Sequence, residues 1–128
     1  MRIQLSQVKK WCEATGIEMP EIPSNIPQER ARLRFNLMAE ENTEYLEACA
    51  ADDTVEIADA LGDMLYILLG TMLEHGMQDH IVRVFTEIHR SNMSKMGEDG
   101  KPILREDGKI LKGPEYFKPN LSKFIKID

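Results

Sequence analysis

The sequence predicts an all-α fold, a helical bundle of four main helices followed by a small C-terminal β-hairpin. Three observations carry this. Apolar residues recur at three- and four-residue steps through four stretches, the spacing that stacks side chains on one helix face. Only Ala51 to Asp53 separates the second stretch from the third, so those helices run antiparallel as neighbours. After Gly97 the composition changes: GEDGKPILREDGKILKGPEYF holds four Gly and two Pro with two short apolar pieces.

The first helix is expected over Leu5 to Ala14, with Ser6 as a possible cap and Gly16 as its stop. Val8, Trp11 and Cys12 form its apolar stripe, with Trp11 a core anchor. EMPEIPSNIP then carries Pro20, Pro23 and Pro27, which forbid regular helix and imply an extended connector that crosses the surface or lies along a neighbour. The second helix starts near Pro27 or Gln28 and runs to about Ala50. The third follows Asp52 and Asp53, with Thr54 an alternative cap, and ends near Gly76. The fourth spans about Asp79 to Lys95, its stripe made by Ile81, Val84, Phe85 and Ile88. Beyond it, Ile103-Leu104 and Ile110-Leu111 flank the turn signal Arg105 to Lys109, which predicts the hairpin. Lys118 to Asp128 should pack irregularly or fray.

At 128 residues the chain makes one domain, with a helical core over 1–96 and a hairpin and tail over 97–128. A net charge of −6 argues against nucleic acid as a partner, whereas small phosphorylated ligands stay open because a metal reverses the local field. Cys12 and Cys49 show no close spacing and read as reduced thiols. No apolar signal core opens the chain, and the longest apolar run, Met64 to Leu73, is half of the roughly 20 residues a membrane span needs. A cytoplasmic protein without membrane contact is expected.

The third helix is apolar on most of its circumference (Ile57, Ala58, Ala60, Leu61, Met64, Leu65, Ile67, Leu68, Leu69, Met72), which predicts burial. Yet Glu56, Asp59 and Asp63 make one stripe on it. Glu40, Glu41, Glu44 and Glu47 lie within two turns of the second helix. Counted from the turn, Glu44 matches Asp59 in height, and Glu40 and Glu41 match Asp63. Buried carboxylates must be protonated, paired or metal-bound, and no Lys or Arg occurs between Arg34 and Arg83. A solvated charged face competes for any single glutamate of the second helix. For Glu41, Glu44, Glu56 and Asp59 as a set, a bound divalent cation is the economical reading.

Hard oxygen donors without Cys or His select Mg²⁺, with Mn²⁺ possible. Such an ion completes its shell with water and substrate phosphate, and Glu40 or Glu44 is the candidate to orient or deprotonate a water. Phosphate also wants cations. His89, Arg90, Ser91, Asn92 and Lys95 cluster near the end of the fourth helix, where a capping role competes. Lys109, Lys112 and Tyr116 lie beside Gly113, and a Gly-flanked Lys there could close over phosphates, with solvated surface as the commoner fate of such lysines. His75 and His80 read as caps or surface residues.

Glu40-Glu41-x-x-Glu44 followed by Glu56-x-x-Asp59 resembles the EExxE…ExxD signature of the MazG-like all-α nucleoside triphosphate pyrophosphatases. These are related to dimeric dUTPases and phosphoribosyl-ATP pyrophosphohydrolase. HRSNMSK (His89 to Lys95) and DGKILKGPEYFKP (Asp107 to Pro119) resemble a phage- and bacterium-associated branch. The resemblance covers roughly residues 30 to 119. It implies Mg²⁺-dependent hydrolysis between the α- and β-phosphates of a nucleoside triphosphate, and a homodimer or dimer of dimers with sites near subunit interfaces. It also implies metal ligation by Glu41, Glu44, Glu56 and Asp59, with phosphate or sugar contacts from Asn92, Lys95, Lys112 and Tyr116. The gap between Glu44 and Glu56 is shorter than in many members. A second alignment, on the triplet Leu61-Gly62-Asp63, puts Ala60 and Asp63 in the ExxD positions. Glu56 and Asp59 are preferred because both are acidic, and Asp63 stays a third-ligand candidate. A di-iron bundle wants Glu-x-x-His on two helices, which is missing. The remaining alternative is a non-catalytic, metal-binding oligomerisation or regulatory module.

Overall fold

The structure, a computed structural model, describes residues 1–125, so positions 126–128 of the expected tail lie outside it. Four helices follow one another: α1 (Arg2–Ala14), α2 (Gln28–Ala50), α3 (Thr54–Glu74) and α4 (Ile81–Met93). The chain divides into two compact units, Met1–Gln78 and Asp79–Asp128. No helix among the described residues is long and apolar enough to cross a membrane.

In the first unit α3 packs against both α1 and α2. The α1 face that meets it is Leu5, Val8 and Cys12, all buried. Trp11 is not the expected core anchor. It is 55% exposed and meets the Tyr66 ring edge-on, while Leu5, Val8 and Cys12 are the buried residues of α1. Ser6 is likewise no cap, since α1 starts four residues earlier at Arg2. At the other end Gly16 takes φ +72° and Ile17 N–H reaches Cys12 O at 2.9 Å, the left-handed stop that glycine permits.

The turn between α2 and α3 is made by three residues serving both helices. Asp52 sits at φ +52° while Asp53 N–H returns to Ala48 O, closing α2. The Asp53 side chain then accepts from Val55 N–H and Glu56 N–H, each at 3.1 Å, and opens α3. A cap of this kind stabilises a helix by about 1 kcal/mol. Just beyond it Ala48 and Ala60 are buried, and such small side chains let the two backbones approach closely.

At the far end of the hairpin two arginines fix the register. Arg30 Nε bonds Glu74 Oε1, while Arg34 Nε lies 3.0 Å from Thr71 Oγ1 and 3.1 Å from Glu74 Oε2. Arg34 Nη2 also donates to Ile67 O at 2.8 Å. Gly70 makes room for this guanidinium, because a Cβ there would stand 2.9 Å from Nη2. The connector lies along the end of α3, as its prolines suggest: Ser24 N–H donates to His75 O at 2.9 Å, and the Gln78 amide donates to Pro20 O at 3.2 Å.

The expectation that α3 is buried on most sides does not hold. Ala60, Leu69, Gly70, Leu73 and Glu74 are buried, but Leu61, Leu65 and Leu68 are exposed, because within this unit only α1 and α2 cover the helix.

The expected C-terminal β-hairpin is not formed. Among the described residues there are no strands, only an isolated bridge between Leu104 and Ile110. The turn itself is present, with Gly108 at φ +87° and Arg105 N–H bonded to Lys109 O. Pro102 supplies no N–H ahead of the pair, and Ile103, Leu104, Ile110 and Leu111 are all exposed. Two short strands with no covering layer are marginal in water.

Candidate active site

The arginine lock sets the heights of the acids. Eleven residues on from Arg30 in α2 is Glu41, and eleven back from Glu74 in α3 is Asp63. Three further steps bring Glu44 level with Ala60, beside Asp59. The electrostatics agree with this register. The Glu41 carboxyl is pushed up to about 7, first by burial, then by hydrogen bonding and charge from Glu44, and then by the charges of Asp63 and Asp59. Its Oε2 is buried without a hydrogen-bond partner. Burial and the neighbouring like charges both penalise the anion of this half-buried carboxyl and favour its protonated form.

Toward the turn a cleft of about 260 Å³ is lined by Glu44, Glu47, Ala48, Ala51, Asp53, Glu56 and Asp59. Glu44, Glu56 and Asp59 thus share one cleft, with Glu41 and Asp63 adjoining it on the neighbouring turns. Glu40 is exposed, neither lining the cleft nor acting on Glu41. Among the described residues no three His, Cys, Asp or Glu side chains close on a single point as a finished metal cage. The donors nonetheless suit a hard cation. They are carboxylates only, one oxygen is orphaned, and Glu44, Glu56, Asp59 and Asp63 are exposed side chains free to change rotamer on fixed helices.

A larger cavity of about 840 Å³ opens beneath the connector, with Arg30 and Glu74 among its lining residues. It lies roughly 20 Å along α2 from Glu44. Of its two acidic lining residues, Glu18 and Glu74, the latter is already matched by Arg30 and Arg34, so the cavity lacks the cluster of acids found toward the turn.

The remaining site residues named from the sequence belong to the second unit. Asn92 is exposed on the last turn of α4, and Lys95 is half-buried just past it. Gly113 is seated against that helix end: a Cβ on it would stand 2.3 Å from Met96 O and 2.6 Å from Lys95 O. This contact brings Lys112 and Tyr116 to the neighbourhood of Lys95, with Lys112 Nζ 4.9 Å from the centre of the Tyr116 ring. His75 caps α3 and its Nδ1 meets Ser24 O at 2.8 Å, while His80 stands at the start of α4 with Nδ1 buried and unpartnered.

A family model described as phosphoribosyl-ATP pyrophosphohydrolase matches residues 9–92, about two thirds of the chain. The chain belongs to that family. It is thereby a member of the MazG-like all-α NTP pyrophosphatase superfamily, a group of nucleotide pyrophosphohydrolases. No curated protein matches the sequence. The stretch shared with the phosphoribosyl-ATP pyrophosphohydrolase family contains every acid of the α2–α3 hairpin and stops at Asn92, so Lys95, Lys112 and Tyr116 lie beyond it.

Two groups of residues escaped the sequence reading. Arg30 and Arg34 were visible only as charges in an early turn, although Gly70 inside a helix, at a cost of about 1 kcal/mol against Ala, marked a close approach. Glu87 and Ser94 had no role, and Ser91 was named only as a phosphate partner or cap, whereas its hydroxyl donates to Phe117 O. Their signal was polar residues on the face of α4 that Ile81 and Val84 turn inward, and Glu87 and Ser91 are in fact its buried residues.

Proposed function

We propose that this chain is a Mg²⁺-dependent nucleotide pyrophosphohydrolase, with Mn²⁺ an acceptable substitute. It cleaves the α–β phosphoanhydride of a nucleoside or deoxynucleoside triphosphate to the monophosphate and pyrophosphate. The observation that carries the reading is the Glu41 carboxyl, orphaned at Oε2 in an all-acidic surrounding and pushed up to about 7 by burial first and then by Glu44, Asp63 and Asp59. Family membership supports the same reaction class.

Glu41, Glu44, Glu56 and Asp59 would hold the cation, with Asp63 as a supporting ligand. When bound, Mg²⁺ neutralises phosphate charge and lowers the pKa of a coordinated water. Glu44, which lines the cleft, or Glu40, exposed on the same helix, takes the proton of the attacking water. Asn92, Lys95, Lys112 and Tyr116 bind phosphate or sugar.

The working form is a homodimer or dimer of dimers. Its support is the exposed apolar face of α3, where Leu61, Leu65 and Leu68 remain uncovered. Full burial of an exposed leucine contributes about 1.5–3 kcal/mol, and roughly half of that remains to be gained at each of these half-exposed side chains.

The test is a panel of nucleoside and deoxynucleoside triphosphates incubated with the protein and Mg²⁺, with pyrophosphate assayed. Release from at least one nucleotide, abolished by chelation, is expected. A protein that binds Mg²⁺ yet releases nothing from any member is a metal-binding module, not this enzyme.

A further inference from the structure

The two sequence segments beyond the acidic hairpin, Ser91 to Lys95 and Gly113 to Asn120, form one joint. Phe117 has both of its backbone groups satisfied by α4. Ser91 Oγ donates to Phe117 O at 2.8 Å, and Phe117 N–H donates to Ser94 Oγ at 3.1 Å. Ser94 Oγ is itself fixed by donating to Ser91 O at 2.6 Å. One turn earlier Asn120 N–H donates to Glu87 Oε1 at 3.2 Å, while Glu87 Oε2 meets Arg90 at 3.1 Å and Lys123 at 3.8 Å. The Arg90 guanidinium lies 5.0 Å from the centre of the Phe117 ring. Glu87, Ser91 and Ser94 follow at four- and three-residue steps, so a single face of α4 grips the segment. Glu87 and Ser91 are almost fully buried, and burial of polar groups is tolerated because each has its partner.

We propose that Glu87, Ser91 and Ser94 are positioning residues that clamp the 113–120 segment so that Lys112 and Tyr116 stand with Lys95 as one grip for the pyrophosphate portion of the substrate. The inference rests on the pyrophosphohydrolase reading for its substrate. The phosphate contacts of Lys95, Lys112 and Tyr116 rest on that reading too, and the geometry supplies the clamp. Gly113 abuts the Lys95 and Met96 carbonyls so tightly that any side chain would lift the segment away. The joint therefore has a lock on each flank of Tyr116, Gly113 before it and Phe117 after it. Held this way, flexible cations lose less freedom when they bind phosphate, which strengthens binding without a new contact.

The experiment uses the full chain and four variants: Ser94→Ala, Ser94→Thr, Glu87→Gln and Gly113→Ala. Binding of inorganic pyrophosphate with Mg²⁺ is measured by calorimetry, and KM and kcat for the triphosphate that the panel identifies. Affinity of the acid cluster for Mn²⁺ serves as the control that the α2–α3 hairpin stays folded. Ser94→Ala, Glu87→Gln and Gly113→Ala should weaken pyrophosphate binding and raise KM about tenfold, with kcat at saturation and Mn²⁺ affinity near wild type. Ser94→Thr keeps the hydroxyl and should restore both. Should Gly113→Ala fail to fold, the two milder variants decide. Wild-type KM and pyrophosphate affinity in Ser94→Ala and Glu87→Gln overturn the clamp, as does a wild-type chain that binds no pyrophosphate. Failure of the reaction class is a different result: no nucleotide is hydrolysed, while the variants still differ from wild type in pyrophosphate binding.

Discussion

Arg30 and Glu74 pair at the end of the α2–α3 hairpin farthest from its turn, and their pairing brings Glu41 level with Asp63. The lock is buried on the glutamate side, at 3% exposure, and Arg34 joins it from the next turn of α2. Replacing Glu74 by Ala strands the buried Arg34 without its carboxylate. Losing one partner of such a group costs about 3 kcal/mol. Denaturant unfolding should show that loss, and an unchanged midpoint would mean that the arginines do not hold the helices in register.

Glu41 makes metal-free stability depend on pH. Its folded pKa is raised from an ordinary 4.5 to about 7, so between those values the folded chain keeps a proton that the unfolded chain releases. Stability of the metal-free protein therefore falls as pH rises through that window and levels off above it. Mg²⁺ must displace the proton, so its stabilising effect should grow over the same range. Melting curves from pH 5 to 8, with and without Mg²⁺, check this. Glu41→Gln should flatten the metal-free profile, and matching profiles for variant and wild type would contradict the crowding of acids around Glu41.

Much of the hairpin was legible because its signals are local. Asp53 caps α3, Gly16 stops α1, and the short turn alone equates the heights of Glu44 and Asp59. What failed depended on partners distant in sequence. Trp11 carries the same local pattern whether or not a neighbour covers it. The turn around Gly108 was readable, but strands need a covering layer that Ile103 and Leu111 do not find. The joint of Ser91 and Ser94 with Phe117 spans more than twenty residues and leaves no periodic trace, apart from polar side chains on the inward face of α4.

Glu87 should titrate in the opposite sense to Glu41. The Asn120 N–H, Arg90 and Lys123 hold its carboxyl below the ordinary 4.5, against the opposing effect of burial. A lowered carboxylate stabilises the fold above its ordinary pKa and loses that effect as pH falls through the folded value. The Asn120 amide resonance should therefore titrate with a midpoint below pH 4.5, and Glu87→Gln should remove that titration. An Asn120 amide indifferent to acid in the wild-type protein would mean that Glu87 does not anchor the segment.

The most direct measurement is pyrophosphate release under saturating Mg²⁺ by the wild-type chain, Glu44→Gln and Asp59→Asn, each first shown to be folded. Both side chains line one cleft from opposite helices. With acids on both helices sharing one cation and its water, each variant should lose turnover by at least about 100-fold while its helices stay intact. Wild-type rates in both variants would contradict the account, because the chemistry would then not pass through the α2–α3 acids.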